Sequence, residues 1–355
     1  MADARPKACA HQRPTHQPAR QRDQIGDPLD RGRSVSAVKG RVVAPYHRRV
    51  HRRQVFDYLG LALIWGLSFV LVLKVVGAFG WVGAVTFRAF TASAILLVLA
   101  AATRRRLAFR GHRLAIGVVG ATTVAAQLIG LSFATPRIGT AMAAIFVGAI
   151  PLFSMVIGHA WGIERITRTG RLGLVLGFGG IVLLVGFPAV PITPEFVLGC
   201  AASLFGSISA AFGSNWAHRH LGAVGSWEQT IGAFFFGGLL TLPLLLVIPV
   251  PTVPLPIDFL YLVLLAAMCS ALAYVLYFRL VAEVGATLAI SVEFVVTVVA
   301  VGVGALLLQE RLSLVQLLGG AVILAGCALV LGLIPGRRVS VSAARAEGLL
   351  GRDAP

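Results

Sequence analysis

The chain has 355 residues, of which 57% are hydrophobic and 13% are charged, and its formal net charge is +17 at pH 7. Because soluble domains carry about 25% charged residues, this composition excludes an ordinary soluble protein and indicates a membrane protein. The positive charge does not indicate a nucleic-acid partner: 13 of the 31 Lys and Arg residues precede the first apolar segment and most of the others lie in short loops, where membrane topology explains them.

Residues 1–53 are polar and rich in Arg, Gln, His and Pro, which predicts a disordered basic tail. No apolar stretch of signal-peptide length follows these charges before Phe56. Two interpretations stay open, a tail attracted to anionic lipid or an upstream extension that is absent from the mature protein. Residues 335–355 are also polar, and we expect a flexible cytoplasmic tail there.

Ten apolar segments lie between the two tails. Each is close to the roughly 20 residues that cross about 30 Å of hydrocarbon, and the connections are too short for a soluble domain. The sequence therefore predicts an all-α polytopic membrane protein with ten transmembrane helices. The predicted segments are 56–76, 81–102, 114–134, 138–161, 171–189, 196–217, 228–249, 258–278, 285–308 and 313–334.

The distribution of Lys and Arg over the loops predicts the orientation. With the N-terminus in the cytoplasm, 27 of these residues lie on the cytoplasmic side, whereas only Lys74, Arg137 and Arg311 lie outside. This asymmetry is what the positive-inside rule describes. We therefore expect a multi-pass protein with both termini in the cytoplasm. The Ala-, Gly- and Arg-rich composition suits a bacterial inner membrane.

An internal repeat is visible at an offset of 146 residues. Matching positions include Gly139 and Gly285, Gly158 and Gly304, Gly180 and Gly326, and the charged pairs Glu164-Arg165 and Glu310-Arg311. Five helices is an odd number, so the second half enters the membrane in the opposite sense. The sequence predicts two inverted-topology five-helix repeats, at 54–190 and 191–334, with a substrate site near the midplane where they meet.

Several short motifs occur in an order and spacing that is typical of one family. They are Trp65-Gly66-Leu67-Ser68-Phe69, Phe87-Arg88, Gly162-Ile163-Glu164-Arg165, Tyr274 with Val284-Gly285-Ala286, and Gln309-Glu310-Arg311. Over about residues 56–334 the chain resembles the EamA-type transporters of the drug/metabolite transporter superfamily. This resemblance implies ten helices in two EamA domains and, commonly, export of amino acids or related metabolites. It does not supply a substrate.

Two charged residues lie at membrane depth, where charges are costly and by default functional. Arg88 is about seven residues, or roughly 10 Å, from the outer face, and Glu293 is about eight residues, or roughly 12 Å, from the inner face. Our hypothesis is that Glu293 binds a cationic group or a coupling proton, and that Arg88 neutralises it or holds a substrate carboxylate. The alternatives are a fixed Arg88–Glu293 ion pair, or an Arg88 that extends toward the interface.

Other polar and aromatic residues are candidates for the pathway. Aromatic side chains can stack on a substrate, although in membrane helices they also pack or lie at interfaces. Polar side chains can bind a substrate or bridge helices. The candidate binding residues are Trp65, Tyr274, Tyr277, Gln127 and Asn215, with Ser68 and Ser154 as further polar positions. Glu164 and Glu310 lie at helix ends, and we interpret them as structural charges or gates.

A membrane-embedded enzyme that acts on lipid-linked substrates would need clustered His, Asp or Glu at a membrane face, and the sequence shows none. The four cysteines show no metal-ligand spacing, so we expect no metal and no cofactor. The sequence has no GxxxxGK[ST] motif, which argues against direct coupling to ATP. The function predicted is a secondary exporter of small metabolites, with proton coupling as an option. Exporters of cationic drugs and a non-transporting membrane sensor or scaffold stay open as alternatives, and the oligomeric state is not predicted.

Overall fold

The structure is a computed structural model, and it describes residues 52–109, 111–163, 166–186, 191–310 and 312–331. Within these ranges the protein is all-helical and contains no β-strand. The predicted tail at 1–53 lies outside the described residues except for positions 52 and 53. The tail at 335–355 lies outside them, as do Glu164, Arg165 and Arg311.

The helices follow the predicted apolar segments closely. We number them in chain order and treat as one helix any run that continues through a local π-helical or 3₁₀ segment. They are α1 (Arg52–Ala102), α2 (Arg113–Ile138), α3 (Thr140–Ala160), α4 (Arg168–Gly186), α5 (Pro194–His220), α6 (Ser226–Leu246), α7 (Pro256–Val284), α8 (Ala286–Ile290), α9 (Val292–Leu306) and α10 (Leu314–Val330).

Helix α1 covers two predicted segments, 56–76 and 81–102. Its 47-residue, largely apolar span from Phe56 to Ala102 would be about 70 Å long as one straight helix, more than twice the thickness of the hydrocarbon core. The helix is broken at Gly80, where φ is 70° and ψ is 168°, a conformation that glycine adopts without steric cost. The break lies between the two predicted segments and divides α1 into two arms, each long enough to cross.

Seven helices in the described part of the chain are long and apolar enough to cross a membrane. Two shorter apolar helices, α9 and α10, follow them. Helix α10 ends at Val330 and the described residues end at 331, so the last predicted segment, 313–334, extends beyond them. The chain is thus a multi-pass, all-helical membrane protein.

The internal repeat is visible in the backbone conformation. Gly139 has φ 85° and ψ 160°, and its counterpart Gly285 has φ 90° and ψ 162°. The preceding helices α2 and α7 each contain a π-helical segment, Gly120–Ala126 and Leu265–Leu272, at corresponding places in the two repeats. Sequence identity at the two glycines therefore reflects the same local geometry.

The last helices of the two repeats, α4 and α10, pack directly against each other through glycines. A Cβ atom built on Gly173 would lie 2.5 Å from the carbonyl oxygen of Gly326, and one built on Gly180 would lie 2.7 Å from that of Gly319. Gly173 corresponds to Gly319 and Gly180 to Gly326 at the 146-residue offset. The 146-residue correspondence therefore converts each of these two contacts into the other, and the two helices run antiparallel. Small residues permit this close approach in membranes, where packing rather than hydrophobic burial drives association.

We predict that Gly173→Ala destabilises the protein by about 1–3 kcal/mol, because the added methyl group overpacks the contact with α10. Gly179→Ala in the same helix is the control, since nothing lies within 4 Å of a Cβ at that position. The measurement is the thermal midpoint of the purified variants. Equal midpoints for the two variants would contradict the close packing.

Candidate functional site

Two adjoining pockets lie among the helices of both repeats. They share Trp65, Gln127, Tyr274 and Glu293, and we refer to them together as the central cavity. The structure brings six of the seven predicted binding residues to this cavity. These six are Trp65, Arg88, Gln127, Tyr274, Tyr277 and Glu293.

Repeat-related positions line the cavity together. Four pairs of lining residues are separated by 146 positions: Leu128 and Tyr274, Leu131 and Tyr277, Val147 and Glu293, and Ile150 and Val296. The cavity therefore lies where the two repeats meet. At three of these pairs the first repeat contributes an aliphatic side chain and the second a polar or aromatic one, so the polar chemistry of these pairs comes from the second repeat.

Glu293 lies in the first turn of α9 and is 6% exposed. In the part of the chain that the structure describes, its carboxylate has neither an ion pair nor a hydrogen bond. A buried charge without a partner costs several kcal/mol or more. The side chain is therefore suited to take up a proton or to bind a cationic group that enters the cavity.

Arg88 lies in the second arm of α1 and is 4% exposed. Its Nε donates to the hydroxyl of Ser270, and one terminal nitrogen donates to the carbonyl of Cys269 at 3.4 Å. No ion pair joins it to Glu293 within the described residues. A guanidinium has five N–H donors, so three are left for an anionic group in the cavity.

Three aromatic rings form one wall of the cavity. The ring centroid of Trp65 lies 5.3 Å from that of Tyr274 and 5.4 Å from that of Tyr277, distances typical of edge and tilted aromatic contacts. The Trp65 indole donates to the Cys269 carbonyl at 3.0 Å, and the Tyr277 hydroxyl hydrogen-bonds to Ser214 at 2.7 Å. The rings of Trp65 and Tyr277 are thus fixed by polar contacts at their edges.

Asn215 is the predicted binding residue that the structure places elsewhere. Its amide donates to the Ser154 hydroxyl at 2.8 Å and to the Ala211 carbonyl at 2.9 Å, so it bridges α5 and α3 as polar residues in membrane helices commonly do. Ser68 does line the cavity. Sequence reasoning missed Ser270, whose position one helical turn before Tyr274 was the available signal.

Glu310, interpreted from the sequence as a structural charge or gate, ties the two repeats together at one end of the bundle. Its carboxylate accepts hydrogen bonds from the backbone N–H of Thr140 at 2.7 Å, the hydroxyl of Thr140 at 2.7 Å and the N–H of Ala141 at 2.8 Å. These groups form the N-terminus of α3, where a negative charge is stabilised by the helix dipole.

Different contacts hold the bundle at the other end of α9. The Tyr58 hydroxyl donates to the carbonyl of Ser291 at 2.7 Å. One residue earlier, Asp57 forms an ion pair with Arg279 at 3.3 Å. Helix α9 thus starts beside contacts from α1 and ends near the Glu310 cap.

Many membrane transporters are multi-pass helical proteins in which two repeats meet around a polar binding cavity. The described part of this chain has the same organisation, which defines its class as a membrane transporter. The family model of the EamA-like transporter family matches residues 55–186 and 197–332, and the chain belongs to that family.

Curated relatives agree with this assignment. The chain is 26% identical to Protein PecM of Dickeya dadantii (strain 3937) over 259 residues, 72% of this chain and 84% of that protein. It is 27% identical to the inner membrane transporter YedA of Escherichia coli (strain K12) over 294 residues, 78% of this chain and 92% of that protein. The protein is thus a multi-pass inner membrane transporter.

A solved structure shares the fold. One crystal structure superimposes with a TM-score of 0.58 and 18% sequence identity, and the match covers 78% of this chain and 96% of the other. At this level of identity the likeness concerns the fold alone.

We predict that Glu310→Ala destabilises the protein, because the N–H groups of Thr140 and Ala141 lose a charged acceptor; a lost partner of this kind costs about 1–3 kcal/mol. Glu195→Ala is the matched control, since Glu195 also lies at a helix N-terminus but is exposed. Thermal midpoints of the purified proteins measure the effect. An unchanged midpoint in Glu310→Ala would show that the cap carries no stability.

Proposed function

We propose that the protein is a secondary transporter that exports small metabolites of the class of amino acids and related compounds by alternating access, with Glu293 coupling export to proton entry. The single observation that carries the proposal is the central cavity, where a carboxylate and a guanidinium lie without pairing to each other. Together they match a solute that carries both an ammonium and a carboxylate group.

The proposal includes ten membrane crossings in two inverted repeats. The break at Gly80 divides the 47-residue span into two arms, and adding the six other long spans and the two shorter apolar helices gives ten. The antiparallel packing of α4 and α10 supports an inverted relation between the two repeats. The proposed bounds of these repeats are 54–190 and 191–334. Loop charge supports cytoplasmic termini.

Alternating access needs contacts that break at one end while those at the other end hold. The Glu310 cap and the contacts of Asp57 and Tyr58 are placed for this, because they lie at opposite ends of α9. In inverted repeats the two states arise when the halves exchange conformations around a fixed site. The central cavity, which is lined by residues of both repeats, is our candidate for that site.

Export of lipophilic cations is the competing function, and a specific observation favours it. Aromatic faces attract cations, and the rings of Trp65, Tyr274 and Tyr277 adjoin Glu293 in the second pocket. Arg88 argues against it, because an unpaired guanidinium repels a cation. An efflux assay with ethidium separates this function from amino-acid export.

We predict that Glu293→Gln abolishes export, because a neutral amide can neither bind an ammonium group as a counter-ion nor carry a proton. Cells that express the wild type, Glu293→Gln, Glu195→Gln or an empty vector are loaded with dipeptides, and amino acids released to the medium are quantified by mass spectrometry. Release should rise several-fold in the wild type and in the exposed Glu195→Gln control, and should stay at the vector level in Glu293→Gln.

Two results would overturn parts of the proposal. Equal release by the wild type and Glu293→Gln would keep an exporter but remove Glu293 from its mechanism. Ethidium efflux without amino-acid release would replace the substrate class with lipophilic cations. Immunoblots of the membrane fraction confirm that each variant is present at the same level.

A further inference from the structure

The π-helical segment of α7, Leu265–Leu272, carries a hydroxyl that the transport proposal does not use. Ser270 is 0% exposed, and its oxygen accepts the Nε–H of Arg88 while its hydrogen is directed to the Leu265 carbonyl at 3.4 Å. Both sides of the hydroxyl are therefore used. Leu265 lies five residues earlier, the spacing of a π-helical turn, so this geometry depends on the local π conformation.

The neighbouring carbonyl holds two residues of the cavity. The Cys269 oxygen accepts from the Trp65 indole at 3.0 Å and from a terminal nitrogen of Arg88 at 3.4 Å. Positions 269 and 270 thus form one docking point for Trp65 and Arg88, both of which come from the first repeat.

The other π-helical segment offers an internal comparison. Thr123 corresponds to Cys269 at the 146-residue offset, and its carbonyl accepts from the hydroxyl of Tyr274 at 3.5 Å. Both segments therefore present a carbonyl to a side chain of the cavity. Ser270, however, corresponds to Val124, so at this position only the second repeat has a hydroxyl, and this hydroxyl contacts Arg88. The hydroxyls of Thr122 and Thr123 in the first π-helical segment bond to carbonyls of their own helix.

Arg88 needs such an anchor because Glu293 lines the same pocket. Opposite charges in a medium of low dielectric constant attract strongly, and a guanidinium with free torsions would move to the carboxylate. We propose that Ser270 is a positioning residue that fixes Arg88 through Nε and holds it apart from Glu293. Both charges then stay available to a substrate. Only the last step, in which both charges stay available to a substrate, rests on the proposed transport function.

The first arm of the test does not require transport. The full chain is labelled with ¹⁵N-arginine and placed in lipid nanodiscs, and the Nε–Hε resonance of Arg88 is assigned by its loss in Arg88→Lys. We expect slow exchange of this proton with water in the wild type and in Ser270→Thr, which keeps the hydroxyl. In Ser270→Ala the exchange rate should rise by about tenfold or more, because the hydrogen bond to the charged group is lost.

The second arm measures export in the dipeptide-loaded cells. Ser270→Ala should lower export below the wild-type level but not below that of Arg88→Ala, and the double variant should match Arg88→Ala, because residues that act through one another are not additive. Ser270→Thr should retain export. Monodisperse elution of each variant shows that it folds.

The outcomes separate this inference from the transport proposal. Unchanged proton exchange in Ser270→Ala would overturn the positioning role, whatever the protein transports. Faster exchange in Ser270→Ala supports it, even if the wild type releases no amino acid and the export proposal fails. Normal export by Ser270→Ala alongside faster exchange would show that Arg88 need not be fixed, and would overturn the link to the substrate.

Discussion

The hydrocarbon core provides no hydrogen-bond partners, so backbone and side-chain polar groups must be satisfied within the protein. Most of this chain meets that constraint with regular helices. Two exceptions lie at the central cavity: a guanidinium held by a hydroxyl and a carbonyl, and a carboxylate without a partner among the described residues. A polar solute that binds these groups would offset the free-energy cost of burying them.

The two repeats share a backbone and differ in the side chains that they present to the cavity. Glycines at equivalent places give the repeats the same turns and let α4 and α10 pack closely. At the cavity, Val147 corresponds to Glu293 and Leu128 to Tyr274. The shared backbone gives the molecule two equivalent halves, while the divergent side chains give the site one carboxylate and an aromatic wall.

Much of the fold could be predicted because a membrane imposes length and composition on each helix. The break at Gly80 lies between two predicted segments, and the paired conformations of Gly139 and Gly285 follow the repeat. The site was less predictable. The depth of a residue along its helix identifies Arg88 and Glu293, but depth does not specify the direction in which a side chain points. Depth therefore also predicts Asn215 as a binding residue, whereas its side chain bridges two helices. The role of Ser270 depends on a local π-helical geometry that periodicity does not reveal.

Access to the cavity from both sides of the membrane is the most direct test of the account. Cysteine is introduced at Val147, which lines the cavity, in a chain whose native cysteines are replaced by alanine. A membrane-impermeant maleimide is then applied to intact cells and to inverted vesicles. Alternating access predicts labelling in both preparations. Labelling from one side only, or from neither, would contradict a site that opens in turn to the two sides.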